Sequence, residues 1–345
     1  MQRVGEGRFE PLDGLRGIAV LAVLACHTSN IPEAGRIGVD LFFVLSGFLI
    51  TDIIARGYDD GPTRFFPGFF KRRFFRLYPA LILACLLYAG LATAFPWFDG
   101  DAPRSVAASL MMVSNYTQAA GLGFPTGFGH TWSLATEWQF YLLWPVVYFA
   151  VRSCGGGTRA LLATLAVAVV GVWTSRYATH DTIWNWRSLD ARGDGLLYGC
   201  MIAVTLRAVP SFKLPATVTW AATAGFACAL FVPSTWEHYW SNAISAVLIL
   251  GVIGGSATTL NDALSLPALT YLGRISYGLY LYHFPLAAIF YVAGFGPLEN
   301  FVLTAGISVP LSMLSWRFLE RPILELTRGR GRGGSAGLRE ASASN

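Results

Sequence analysis

The chain has 345 residues, of which 54% are hydrophobic and only 13% are charged, and its mean hydropathy is +0.49. Because a soluble domain usually carries about 25% charged residues, this composition excludes an ordinary soluble protein and predicts a polytopic membrane protein. The net charge of +5 would suit a nucleic-acid partner, but the positions of the basic residues explain it as membrane topology, so we expect no nucleic-acid partner.

Ten membrane-spanning helices are predicted from windows of about 20 apolar residues. They centre near residues 11–29, 37–56, 77–95, 133–151, 160–177, 189–207, 215–232, 240–256, 276–294 and 299–318. The apolar segment 104–118 is short, and we expect it to be re-entrant or interfacial. The predicted fold is therefore an all-α integral membrane bundle. It comprises a cytoplasmic segment at 1–10, a transmembrane domain at 11–322 and a disordered, Gly/Arg/Ser-rich cytoplasmic tail at 323–345.

The distribution of basic residues predicts the orientation of this bundle. With the N-terminus inside, nineteen of the 25 lysines and arginines fall in cytoplasmic segments and four in the opposite loops, while Arg16 and Arg192 lie within spans. This asymmetry follows the positive-inside rule and favours an even number of spans. We expect a multi-pass protein of the cytoplasmic membrane with both termini in the cytoplasm.

The first span carries two polar side chains, Arg16 and His27, in LDGLRGIAVLAVLACH (residues 12–27). Eleven helical positions are about 1100° of rotation and about 16 Å of rise, so both side chains lie on one stripe, one near each end. An arginine in hydrocarbon normally faces the bundle interior, which predicts a polar cavity along this stripe. Alternatively, Arg16 reaches the cytoplasmic surface and His27 the opposite headgroups. A cleaved signal peptide is disfavoured by the arginine within the apolar stretch.

Further polar residues fall on the predicted outer half of the bundle. Asp40 opens span 2, and His130 and Glu137 stand at the outer mouth of span 4. Trp132, among other aromatic residues of span 4, belongs either to an interfacial aromatic belt or to a substrate platform. In span 2, the small residues Ser46 and Gly47 are expected to let neighbouring helices approach closely.

A basic cluster lies on the predicted inner side, in PGFFKRRFFRLYP (residues 67–79). It contains Lys71, Arg72, Arg73 and Arg76. Guanidinium groups bind phosphate oxygens through paired hydrogen bonds, which favours a phosphate site in which Arg72 and Arg76 share a helix face and Arg73 lies close by. The alternative is an anchor for lipid headgroups that also fixes the topology.

Two other spans carry groups of interest. Span 9, SYGLYLYHFP (residues 276–285), contains Tyr280 and His283, which serve either in packing or at a site. Asp190, Arg192 and Asp194 open span 6, and we expect them to neutralise one another. The five cysteines are scattered without metal-ligand spacing, so we expect small core residues and no metal site.

Taken in their order along the chain, these motifs resemble those of the membrane acyltransferase 3 family, whose members O-acylate sugars and other hydroxylated compounds. The resemblance covers residues 10 to 322 and rests on LDGLRGIAVLAVLACH, GVDLFFVLSGFLIT, FFKRRFFRLYP, HTWSLATEWQFYLLWP and YLGRISYGLYLYHFP. It implies an acyl-CoA donor, often acetyl-CoA, an acceptor hydroxyl and no permanently bound cofactor. It also implies a catalytic histidine at His27, places the family's arginine at Arg16, and places its basic motif on the cluster at 71–76. Some relatives carry an additional esterase-like domain, and we expect a separate soluble accessory protein to replace it here.

The residues suggest a mechanism for this chemistry. A neutral imidazole at His27 can deprotonate an acceptor hydroxyl as it attacks a thioester. Glu137 or Asp40 would orient that ring, and Arg16 would stabilise the oxyanion or guide the pantetheine arm. His130, Trp132, Tyr280 and His283 are the expected substrate-binding residues.

Three functions are compatible with these features. The first is O-acylation of a cell-envelope or exported glycan, and the second is O-acylation of a small natural product such as a macrolide. The third is a membrane transporter, because intramembrane Arg, His, Asp and Glu also form substrate paths. Visible inverted repeats are absent and the basic cluster favours a phosphate-bearing donor, so we favour the enzyme. Besides the acceptor, membrane lipid is the expected partner.

Overall fold

A computed structural model describes residues 9–329, except for 30, 32–33, 99–100, 123–126, 181, 183 and 233–236. Within these ranges the chain is helical and contains no strand, which confirms the predicted all-α class. The helices are α1 (Glu10–Ser29), α2 (Ile37–Gly57), α3 (Pro62–Ala94), α4 (Ala102–Leu110), α5 (Ser114–Ala119), α6 (Thr131–Ser153), α7 (Thr158–Ala178), α8 (Trp184–Arg187), α9 (Leu189–Arg192), α10 (Asp194–Ala208), α11 (Ala216–Ala229), α12 (Glu237–Gly254), α13 (Thr258–Leu264), α14 (Pro267–Val292), α15 (Pro297–Ser315) and α16 (Arg321–Gly329). A π-helical turn, Trp316–Glu320, joins α15 to α16.

Several of these helices have the length and apolar composition of membrane spans. Six of the described segments qualify: Glu10–Ser29, Ile37–Asp60, Pro62–Ala94, Thr158–Ala178, Pro267–Val292 and Pro297–Thr327. A seventh arises if Tyr239–Gly254 and Thr258–Leu264, which meet at a bend of 100°, form one broken span. These segments support a multi-pass membrane protein.

A helix underlies each of the ten predicted spans, but α6, α10 and α11 do not meet the same criteria of length and apolar character. The segment 104–118 forms the two short helices α4 and α5, and Met112 between them adopts a left-handed conformation with φ of 55°. Neither helix is long enough to cross a bilayer, which needs about 20 residues.

Glycines allow the helices around the interior to pack with their backbones in contact. A Cβ added to Gly273 of α14 would lie 1.9 Å from the carbonyl oxygen of Asp13 in α1. In the same way, a Cβ on Gly47 of α2 would lie 1.9 Å from the carbonyl oxygen of Leu196 in α10. The predicted close approach at Gly47 is confirmed, and such contacts are typical of small residues between membrane helices.

The basic motif of residues 67–79 lies inside α3, so its arginines stand on a helix. This helix has 33 residues, which corresponds to about 50 Å at 1.5 Å per residue. At the other end of the chain, α16 extends through Gly329, seven residues into the predicted tail. Residues 330–345 and 1–8 lie outside the described residues.

Candidate active site

Two cavities open along the face of α1 that carries Arg16 and His27. The first, here called the His27 cavity, has a volume of about 380 Å³ and is lined by His27 and His130 among others. The second, the Arg16 cavity, has a volume of about 60 Å³ and is lined by Arg16 and Glu137 among others. Both stripe residues therefore line cavities, as predicted, and both are half-buried.

Three histidines from separate parts of the chain converge at the His27 cavity. His27 Nδ1 lies 3.0 Å from His283 Nε2, and the two ring planes are nearly parallel, 12° apart, with centroids separated by 5.3 Å. The ring of His130 stacks on Phe284 at 4.7 Å and lies 5.7 Å from that of His283. In the part of the chain that the structure describes, no group of three or more His, Cys, Asp or Glu is placed to hold a metal ion. We interpret the cluster as one hydrogen-bonded pair, His27 and His283, with the ring of His130 packed against His283 and Phe284.

Neither predicted carboxylate orients His27. Glu137 Oε1 accepts hydrogen bonds from the hydroxyls of Ser46 and Tyr141, on the Arg16 cavity. Its position explains this placement, because residue 137 is two turns, or about 10 Å, along α6 from residue 130. The predicted pairing of His27 with Glu137 or Asp40 is therefore corrected: its hydrogen-bond partner is His283.

Asp40 instead forms one of two buried ion pairs in this region. Arg192 Nη2 lies 2.6 Å from Asp40 Oδ1, and Arg176 pairs with Asp194. These four side chains are almost fully buried, and buried charges need such partners. The expected mutual neutralisation of Asp190, Arg192 and Asp194 is thus wrong, because Arg192 and Asp194 find opposite charges on other helices.

Tyr280 stands between the two cavities and lines both. Its hydroxyl lies 2.6 Å from Ser133 Oγ and donates to the carbonyl oxygen of His130 at 3.0 Å. Val39 is the other residue that both cavities share. The two cavities are consecutive chambers separated by a hydrogen-bonded tyrosine.

Arg16 lies in the second chamber with its guanidinium 5.8 Å from the centre of the Phe42 ring. Its Nε is buried and has no hydrogen-bond partner among the described residues. Glu137 and Asp13 supply negative charge nearby, and Arg76 supplies positive charge. Arg16 therefore lies within the electrostatic influence of both Glu137 on α6 and Arg76 on α3.

That basic motif is divided between the interior and the surface. Lys71 and Arg72 are exposed, whereas Arg73 and Arg76 turn inward. The reason is helical geometry, because positions 73 and 76 lie within about 40° of the buried Phe69. Arg72 and Arg76 were predicted to share a helix face with Arg73 close by, and of these three only Arg73 and Arg76 turn inward.

The two inward arginines are held among aromatic rings. Arg73 lies 5.7 Å from the centre of the Tyr141 ring, and Tyr141 in turn donates to Glu137. Arg76 Nη1 lies 3.3 Å from Glu320 Oε2, and its guanidinium is 5.5 Å from the ring of Tyr277. A buried polar column thus runs from these arginines through Glu137 and Arg16 to Tyr280 and the His27 cavity.

The site also contains three residues that were not predicted from the sequence: Arg187, Phe284 and Glu320. Arg187 lines the His27 cavity beside Trp132, and its guanidinium lies 5.6 Å from the Trp132 ring centre. Burial lowers the pKa of Arg187 to about 10, so it stays charged at neutral pH. Phe284 also lines this cavity, and Glu320 partners Arg76. The only signal for Glu320 in the sequence is a carboxylate beside an apolar stretch.

The comparisons with known proteins agree with this architecture. A family model described as an acyltransferase domain matches residues 10–317. The chain is 30% identical to the peptidoglycan O-acetyltransferase OatA of Listeria monocytogenes, over 90% of this chain and 55% of that protein. It is 30% identical to the putative peptidoglycan O-acetyltransferase YrhL of Bacillus subtilis, over 92% of this chain and 55% of that protein. It is 27% identical to the O-acetyltransferase OatA of Staphylococcus aureus, over 94% of this chain and 58% of that protein.

The chain therefore spans little more than half the length of these curated relatives. No solved structure matches it. The family model covers most of the described chain, including both cavities and the inward arginines of α3. This chain belongs to the acyltransferase 3 family.

Proposed function

We propose that this chain is an integral-membrane O-acyltransferase that moves an acyl group, most simply acetyl, from acyl-CoA to a hydroxyl of a cell-envelope or exported glycan. The family membership supports acyl transfer, and the relatives named above, peptidoglycan O-acetyltransferases, support a hydroxylated glycan as acceptor. The observation that carries the proposal is the buried polar column that joins Arg73 and Arg76 at one end to His27 at the other.

The proposed topology has ten spans in the cytoplasmic membrane, with both termini in the cytoplasm. It rests on the nineteen-to-four distribution of lysine and arginine and on the helix that underlies every predicted span. In this orientation Arg73 and Arg76 lie toward the cytoplasm, and the His27 cavity lies toward the outer surface. The donor and the acceptor then approach from opposite ends of the column.

Coenzyme A is a phosphate-bearing substrate, so its proposed place is at the inward arginines. Guanidinium groups bind phosphate oxygens with two parallel hydrogen bonds, and Arg73 and Arg76 lie one helical turn apart. Arg16 is about 16 Å from His27 along α1, in the other chamber. This separation favours a role in guiding the pantetheine arm over a role at the reacting carbonyl.

The transfer itself is assigned to the His27 cavity. The imidazole of His27 takes the proton of the acceptor hydroxyl as its oxygen attacks the thioester carbon. The new carbon–oxygen bond forms, the carbon–sulfur bond breaks, and the proton passes from His27 to the departing thiolate. His130, Trp132 and Tyr280 line the same cavity and would contact the acceptor.

The test is transfer of label in membranes that contain the protein. Acetyl-CoA labelled in the acetyl group is supplied with peptidoglycan fragments in one reaction and with a macrolide in another. We expect label in the glycan, absent from membranes without the protein. Label in the macrolide alone would show that the acceptor is a small natural product and not a glycan. Label in neither acceptor would contradict acetyl-CoA as the donor.

A further inference from the structure

A chain of hydrogen bonds fixes which nitrogen of His27 carries a proton. His283 Nδ1 lies 3.0 Å from the carbonyl oxygen of Leu279, one turn earlier in α14. A carbonyl oxygen can only accept, so the hydrogen of that bond belongs to His283 Nδ1. His283 is fully buried, and a second proton would place a cation there beside another imidazole, at a high desolvation cost.

The neutral ring of His283 therefore presents a lone pair on Nε2. Because His27 Nδ1 lies 3.0 Å from that atom, the hydrogen between the two rings belongs to His27. The lone pair of His27 is then on Nε2, which makes no hydrogen bond with any described residue while its side chain lines the His27 cavity.

We propose that His283 is the positioning residue of His27, and that it holds His27 in the tautomer whose Nε2 accepts the proton of the acceptor hydroxyl. This inference rests on the proposed function and deepens it, because it names the atom that acts as base. Where other histidine bases are oriented by a carboxylate, this site uses the backbone carbonyl of Leu279 and a second imidazole.

The surroundings of the pair support this assignment. Phe284 packs edge-on against the His27 ring at 4.8 Å, which restricts rotation of the ring away from His283. Among the described residues, the charged groups with electrostatic influence on His27 are Arg187 and Arg36, and neither can accept the hydrogen on His27 Nδ1. Both predicted carboxylates are engaged elsewhere, so the acceptor for His27 Nδ1–H is His283.

Two substitutions at position 283 separate orientation from packing. His283→Phe keeps a flat ring but removes the acceptor, so His27 loses the bond that holds the proton on Nδ1. His283→Gln can place an amide oxygen close to the position of Nε2. We expect His283→Phe to lower kcat by about a hundredfold or more with little change in KM for acyl-CoA. In a Ser-His-Asp triad, an Asp→Asn change that imposes the wrong histidine tautomer costs about 10⁴-fold. His283→Gln should retain activity within about tenfold of the wild type.

A spectroscopic readout tests the tautomer without any turnover. In protein labelled with ¹⁵N-histidine, the resonances of His27 are identified by their loss in His27→Asn. We expect an unprotonated Nε2 and a protonated Nδ1 in the wild-type protein, with the proton moved to Nε2 in His283→Phe. A wild-type His27 protonated on Nε2, or equal kcat values for the Phe and Gln variants, would overturn the inference. The resonances report the tautomer even if acetyl-CoA proves not to be the donor, so failure of the proposed function can be distinguished from failure of this inference.

Discussion

Replacing His27 by alanine is expected to lower acyl transfer by about a hundredfold or more while the protein inserts at normal abundance. The physical reason is that, in the proposed mechanism, His27 supplies the proton acceptor in the larger chamber, and none of the described residues that line this chamber carries a carboxylate. Transfer of labelled acetyl groups is measured in membranes that contain equal amounts of each variant.

The matched control is His180→Ala, because His180 is exposed and does not line either cavity. We expect this variant to retain wild-type activity. His27→Asn tests whether hydrogen bonding without a basic nitrogen is sufficient, and we expect it to be as inactive as His27→Ala. Near-normal transfer by well-expressed His27→Ala would remove His27 from the mechanism.

At the other end of the column, Arg73→Ala is expected to weaken the affinity for acyl-CoA by about 1.5–3 kcal/mol, or roughly ten- to hundredfold. Arg73 faces the interior over the Tyr141 ring, so its guanidinium is placed to bind a phosphate that enters the column. Arg73→Lys should restore the affinity only in part, since an ammonium group lacks the planar fork. The measurement is the KM for acyl-CoA in membranes with equal amounts of protein.

Arg72→Ala is the control at the neighbouring position, because the Arg72 side chain is exposed and points away from the interior of the bundle. It should leave the KM unchanged. Arg76→Ala is a less suitable variant, because it would leave the buried Glu320 carboxylate without its ion pair and so lower stability as well. If Arg72→Ala and Arg73→Ala both change insertion and neither changes KM, the basic motif is a topology anchor and not a donor site.

Helical periodicity was sufficient to predict the framework of this site. The spacing of Arg16 and His27 placed both on one stripe, and the structure finds a cavity at each. The aromatic and polar residues of spans 4 and 9 were expected near a site, and His130, Tyr280 and His283 do meet at the His27 cavity. These predictions depended on geometry within a single helix, or on residue types that are costly in a membrane.

Contacts between helices were not predictable in the same way. Asp40 was a reasonable partner for His27 by charge, but its partner is Arg192, 152 positions away in the sequence. Arg73 turns inward because the motif continues the buried stripe of α3, a stripe defined by the helices that pack against it. In each case the deciding factor was which helices pack together, and that depends on close approaches such as the one at Gly47.

The central claim is that donor and acceptor reach the site from opposite sides of the membrane. The most direct measurement uses proteoliposomes with an impermeant acyl-CoA and an impermeant glycan acceptor placed on chosen sides. Orientation is read from labelling of Asp59→Cys, an exposed position in the turn between α2 and α3. The predicted result is transfer when acyl-CoA is on the side of Asp59 and the acceptor is on the other. Transfer only when both substrates are on the side of Asp59 would contradict it.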